Sequence, residues 1–244
     1  MKKTQVALAA FAVLVLTLLT TGAARADTWS AGAVVTYNQA EWGDQSNVAG
    51  MLLSSNYGTV YSSNLFVIGS TTPGFSILFT NEADLDDFLP ASGAPGPLNS
   101  NLLNPEGFNN PAGVFGGEVA AMKLNIDFSN AGLIPNSSGL LFANLVLTGF
   151  SGSESSLNGL TVEQFFAISQ AALAGQATSI GFPDIEDLTA NINDAFDAGQ
   201  PDAFAQDHLV APGSSAAMPE PSTLMLLAIG IFAVSFVARK RVLA

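Results

Sequence analysis

The sequence predicts an α+β fold in which an N-terminal β-rich part is followed by a helical C-terminal part, with a single C-terminal transmembrane helix. Three observations predict it. Short runs rich in β-branched and aromatic residues, separated by Gly and polar breaks, fill the first third. Apolar residues at three- and four-residue steps, bracketed by capping residues, fill the last third. The chain then closes on 15 residues without a charge, Leu224 to Ala238, followed by Arg239, Lys240 and Arg241.

At the start, Lys2 and Lys3, the apolar run Val6 to Leu19 and Ala24-Arg25-Ala26 form a signal peptide with its small-residue cleavage site. Signal peptidase is expected to remove residues 1–26 and leave Asp27 as the first residue. Ala33-Val34-Val35-Thr36-Tyr37 reads as a strand, as do Asn64 to Ile68 and Phe75 to Thr80, with Thr72-Pro73-Gly74 a turn before the last. Asn81 caps a short helix with Leu85, Phe88 and Leu89 on one side and Pro90 at its end. Ala91 to Gly113, rich in Pro, Gly and Asn, is a loop long enough to be functional or mobile.

Val114 to Asn130 fits two patterns. Met122, Leu124, Ile126 and Phe128 alternate as in a strand, whereas Phe115, Val119, Met122 and Ile126 fall at helical spacing, with Lys123 four residues before Asp127. A buried helix is the preferred reading. Leu140 to Thr148 is a short strand or an apolar tether. Thr161 and Gln164 make a capping box before the apolar face of Val162, Phe165, Phe166, Ile168, Ala172 and Leu173, which Gly175 stops. Asp184 is read as the cap of the next helix, where Ile185, Leu188, Ile192 and Phe196 face one way and Glu186, Asp187, Asp194 and Asp197 the other. Gly199 closes it. One globular domain over 27–210 and a flexible linker over 211–217 follow from these limits.

All 20 acidic residues lie between Asp27 and Glu220, where Lys123 is the one base, a formal charge of −19 for that interval. Such a surface repels nucleic acid and anionic lipid and favours solubility. There is no cysteine, so thiolate chemistry, disulfides and the usual structural zinc sites are excluded.

The tail starts at Met218, with Pro219, Glu220 and Pro221 ahead of the apolar run. As a helix, 224–238 is roughly 22 Å long, and Pro221 to Thr223 with a snorkelling Arg239 bring it within reach of a ~30 Å hydrocarbon core. The cations of Arg239, Lys240 and Arg241 stay cytoplasmic, leaving everything before Met218 outside. Each proline fixes its own φ and biases the residue before it to extended backbone, which holds Met218 and Glu220 open to an enzyme. Motif, helix and basic end, in this order, resemble the PEP-CTERM sorting signal of Gram-negative bacteria, with Met218 where Val is usual. The resemblance implies that 218–244 is an exosortase substrate, that the inner membrane is occupied transiently, and that the cargo ends at the cell surface or outside the cell. It also implies a setting of exopolysaccharide, matrix and biofilm.

The stretch from Thr36 to about Leu209 resembles a module of secreted bacterial proteins with no assigned activity. The residues that carry this are Thr36-Tyr37-Asn38-Gln39, Trp42-Gly43, Tyr57-Gly58-Thr59-Val60-Tyr61 and Phe88-Leu89-Pro90 with Gly93. Gly117-Glu118-Val119-Ala120 leading to Leu124-Asn125, and Leu160-Thr161-Val162, also fit.

Candidate chemistry is sparse. His208, the only histidine, adjoins the linker, a poor seat for a catalytic triad. Asp84, Asp86 and Asp87 are a candidate calcium site or acid–base pair, but adjacent carboxylates on a short helix commonly just face water. The face with Asp184, Asp187, Asp194 and Asp197 is the better calcium candidate, but it lacks the loop spacing of a calcium-binding hand. Trp42 with Tyr37 and Gly43 is a sugar platform or, more economically, a core anchor. The resulting expectation is an exported protein with a structural or adhesive role, no catalytic residues, no metal and no cofactor. The alternative is a hydrolase acting on matrix polysaccharide through paired carboxylates.

Overall fold

A computed structural model describes residues 29–214 apart from Thr71. The expected signal peptide 1–26, residues 215–217 of the linker, and the sorting tail with its helix 224–238 lie outside the described residues. Among the described residues no helix is long and apolar enough to cross a membrane.

The fold is mixed α+β, and its axis is α4, Val114–Asn130, which corresponds to the segment that fitted both patterns. Phe115, Val119, Met122 and Ile126 are buried, but so are Leu124 and Phe128. A helix packed on nearly every side has apolar residues at all spacings, which is why alternation also fitted. Packed on α4 are α5 (Val162–Leu173), α6 (Phe182–Asp194) and α1 (Gln39–Trp42). In α5 the capping box forms as expected: Thr161 Oγ1 accepts from Gln164 N–H at 3.2 Å, and Gln164 Oε1 accepts from Thr161 N–H at 2.9 Å. In α6 the helix begins at Phe182 after Gly181, so Asp184 is not the cap. Pro183, lacking an N–H, fits the first turn, and Asp184 lies in that turn, where the helix dipole favours a carboxylate.

The hairpin strands β1 (Phe66–Gly69) and β2 (Ser76–Phe79) are antiparallel, with Phe66 opposite Phe79 and Ile68 opposite Ile77, all four fully buried. Helix α3, Glu82–Phe88, follows with Asn81 Oδ1 accepting from Asp84 N–H at 3.0 Å. The long loop 91–113 contributes β3, Leu102–Leu103, parallel to β2. Its backbone is tied down elsewhere, as where Leu98 N–H donates to Leu173 O at 2.8 Å.

The first third is less β-rich than its composition implies. Ala33 to Tyr37 is not a strand: Thr36 makes an isolated parallel bridge with Asp197, because the segment has a turn rather than a strand beside it. Val48–Val60, which its Gly and β-branched content hid, is the helix α2. Asn47 Oδ1 caps it by accepting from Gly50 N–H at 3.1 Å. Ala49, Leu53 and Tyr57 form its buried stripe. At Gly50 a Cβ would stand 2.2 Å from the Asp44 carbonyl oxygen, so the helix start can lie against that turn only without a side chain.

The segment 140–148 is neither a full strand nor a tether. It holds a 3₁₀ turn, Phe142–Asn144, and the two-residue strand β4, Val146–Leu147. β4 pairs with β5, Leu209–Val210, directly after α7, Ala203–His208. Trp29 ties the two ends of the domain together. Its Nε1–H donates to Leu209 O at 2.8 Å, and its backbone N–H and C=O bond the Gln206 amide, both at 3.0 Å.

Candidate functional site

The most developed polar site is a buried centre on α4. Glu118 is 8% exposed. Its Oε1 accepts from Gln39 Nε2–H at 2.7 Å and its Oε2 from Asn193 Nδ2–H at 2.8 Å. Burial pushes the Glu118 carboxyl up, and the bonds from Asn193 and Gln39 pull it back down. Two helical turns on, Asn125 Oδ1 accepts from Tyr37 N–H at 2.9 Å and Trp42 Nε1–H at 3.3 Å, while its Nδ2–H donates to Tyr37 O at 2.8 Å. Gln39 Oε1 accepts from Ala91 N–H at 2.9 Å. Segments distant in sequence thus meet at amide side chains and one carboxylate. Gly117 makes room for the centre, since a Cβ there would lie 1.8 Å from Gln39 Oε1. Tyr37, Gln39, Trp42, Gly117, Glu118 and Asn125 are all among the residues carrying the secreted-module resemblance, but nothing in their spacing indicates that they meet.

This centre fixes the role of Trp42. It is fully buried, edge-to-face with Tyr37 at 5.7 Å and with Phe128 at 5.1 Å. No ring face is open for a sugar, so Trp42 is the core anchor of the N-terminal segment.

The expected acidic face of α6 is divided in two. Asp184 and Asp187 line a cleft of about 320 Å³ with Glu154, Asn191, Phe204 and His208. The His208 ring stacks on Phe150 at 4.5 Å, and its Nδ1 lies 3.0 Å from Thr148 O. Asp194 and Asp197 belong instead with Glu41 of α1. Glu41 Oε2 accepts from Asn38 N–H at 2.9 Å, completing a capping box, and Asp197, in the turn beyond α6, is among the acids whose charge acts on it. Burial first, then Asp197, raise the Glu41 carboxyl to about 7. Asp194 is raised by burial and by Asp197 and Asp202.

The Asp84, Asp86 and Asp87 group separates as well. Asp84 accepts from Asn81 Nδ2–H at 2.6 Å and Asp86 from Gln45 Nε2–H at 2.9 Å. Among the described residues no three His, Asp or Glu side chains are placed to share a metal ion.

Residues 219–241 match the family model described as the PEP-CTERM protein-sorting motif. The match spans Pro219, Glu220, Pro221, Arg239, Lys240 and Arg241, and the chain therefore carries the PEP-CTERM sorting signal. The signal marks it as an exosortase target bound for export. No curated protein and no solved structure matches it.

Proposed function

We propose that the protein is a non-enzymatic cargo that exosortase processes at its tail and that then serves a structural or adhesive role at the cell surface or in the extracellular matrix, with exopolysaccharide as its partner. The sorting signal at 219–241 carries this reading. Pro219, Glu220 and Pro221 are the recognised motif, 224–238 occupies the inner membrane until cleavage, and Arg239 to Arg241 keep the end cytoplasmic. The domain's chemistry supports the same reading. Glu118, a buried carboxylate, has each oxygen engaged by an amide donor and is occupied with holding segments together. The high negative charge keeps the domain soluble and away from nucleic acid.

Intact-mass measurement on secreted protein tests the address. The product should begin at Asp27 and lack the tail from near Pro219-Glu220-Pro221 onward. Retention of Leu224 to Ala244 in a strain with a working exosortase overturns it. Glycan-array binding by the secreted product tests the adhesive role, and release of reducing ends from matrix polysaccharide would replace that role with hydrolysis.

A further inference from the structure

We propose that the cleft between α6, α7 and the turn after β4 binds an uncharged pyranose ring, stacked on the aromatic wall and hydrogen-bonded through its hydroxyls to the polar wall. This deepens the adhesive reading above and rests on it. The cleft measures about 320 Å³, which is within the range of small-molecule sites. One wall is aromatic. The His208 ring stacks on the buried Phe150 at 4.5 Å, and the half-buried Phe204 stands 4.9 Å from His208 and 6.3 Å from Phe150. The other wall is polar. Asp184, Asp187 and Asn191 recur at three- and four-residue steps on α6 and all line the cleft, and Glu154 of the 3₁₀ turn Gly152–Leu157 joins them.

The aromatic wall is built before any ligand arrives. His208 Nδ1–H donates to Thr148 O at 3.0 Å, which leaves Nε2, an acceptor whenever the ring is neutral, for a hydroxyl. Asn158 clamps Phe150 by both backbone groups: Oδ1 accepts from Phe150 N–H and Nδ2–H donates to Phe150 O, each at 2.9 Å. Gly149, with a φ of 78°, lets the exit of β4 lie against α7, since a Cβ there would stand 2.9 Å from Asp207 O. A pyranose suits two such walls, because its faces offer C–H groups to an aromatic ring and its edge offers hydroxyl donors to acceptors. Charge narrows the choice. Glu154, Asp184 and Asp187 line the cleft, and among the described residues no Lys or Arg does, so a uronate or a phosphorylated sugar is repelled.

His208 is the one histidine of the chain, so untagged full-length protein gives a single imidazole Cε1–H NMR signal, and it reports on the cleft. The protein is held in a phosphocholine detergent, which carries no sugar, and titrated with cellotetraose, laminaritetraose, maltotetraose and mannotetraose. At least one should shift that signal saturably with a Kd of about 1 mM or tighter, and tetragalacturonate should not. Phe204→Ala should weaken the binding about tenfold. Asn191→Ala, at an exposed position, should weaken it about threefold or more and serves alone if Phe204→Ala fails to fold. Asp187→Asn keeps an acceptor without the charge, so neutral sugar should bind within about threefold of wild type. The proposal is overturned if none of the four sugars shifts the signal, if both alanine variants bind as wild type does, or if spermidine shifts it and the sugars do not. Glycan-array capture separates this cleft from the adhesive reading. Equal capture of wild type and Phe204→Ala removes the cleft and leaves the adhesive role, whereas capture of neither removes both.

Discussion

Glu118 on α4 and Glu41 on α1 both hold a carboxyl against a domain that has almost no cations, yet the surroundings treat them differently. Glu118 is enclosed and receives amide donors at both oxygens, so its charge is dispersed over Gln39 and Asn193. Glu41, nearer the surface, has one backbone donor and faces other acids, and burial together with those acids raises its carboxyl to about 7. The difference teaches that a cation-poor protein can hold carboxyls in two ways, by neutral donors inside and by a raised hold on protons at the rim. The first should be rigid and costly to break, and the second tunable by pH.

The sharpest way to break this comparison is to remove a donor from the inner centre. Asn193→Ala strips Glu118 Oε2 of its partner in a buried place and should cost about 2–4 kcal/mol, measured by denaturant unfolding. A cost below that of an average surface substitution would mean the centre is not closed. Gly117→Ala comes next. Its Cβ must displace Gln39, whose amide is committed at both ends, and the expected loss is about 1–3 kcal/mol by the same measurement.

The rim should show itself through pH. Glu41 and Asp194 at the rim, Glu186, Asp86 and Glu82 elsewhere on the domain, and the enclosed Glu118 are all raised by burial first. Folded protein therefore holds more protons than unfolded protein between the ordinary carboxyl range and about 7. Its melting temperature should fall as pH goes from about 5 to about 8, and scanning calorimetry across that window would detect a rise if the sign were wrong. Smaller still is Lys123→Met, which breaks a partly exposed i, i+4 pair with Asp127 and should cost about 0.5 kcal/mol or less. The smallest expected effect is from calcium. At equal ionic strength it should raise the melting temperature no more than sodium chloride does, since screening acts alike on scattered acids. A calcium-specific rise abolished by Asp194→Asn would restore the metal reading of α6.

Several elements are legible in the sequence because their cause is local. The Thr161–Gln164 box, the Asn81 cap and the β1–β2 hairpin are set by side chains within a few residues of the backbone they act on. Helix α2 is harder to read, since Ala49, Leu53 and Tyr57 recur every four residues but Gly50, Gly58 and Val60 obscure that stripe. The expected Asp184 cap does not form, because Pro183 lets the first turn begin three residues earlier.

By itself, the sequence determined the address of this protein and the local signals of its helices. A sorting tail is read as a linear string, and caps and apolar spacings act over one or two turns. Only the tertiary structure decided that Gln39, Glu118, Asn125 and Asn193 meet, that α6 divides its acids between a cleft and the Glu41 rim, and that Thr36 bridges Asp197 rather than joining a sheet. These contacts join residues far apart along the chain, as Thr36 and Asp197 are. Their existence depends on how whole elements pack, and no neighbouring residue records that.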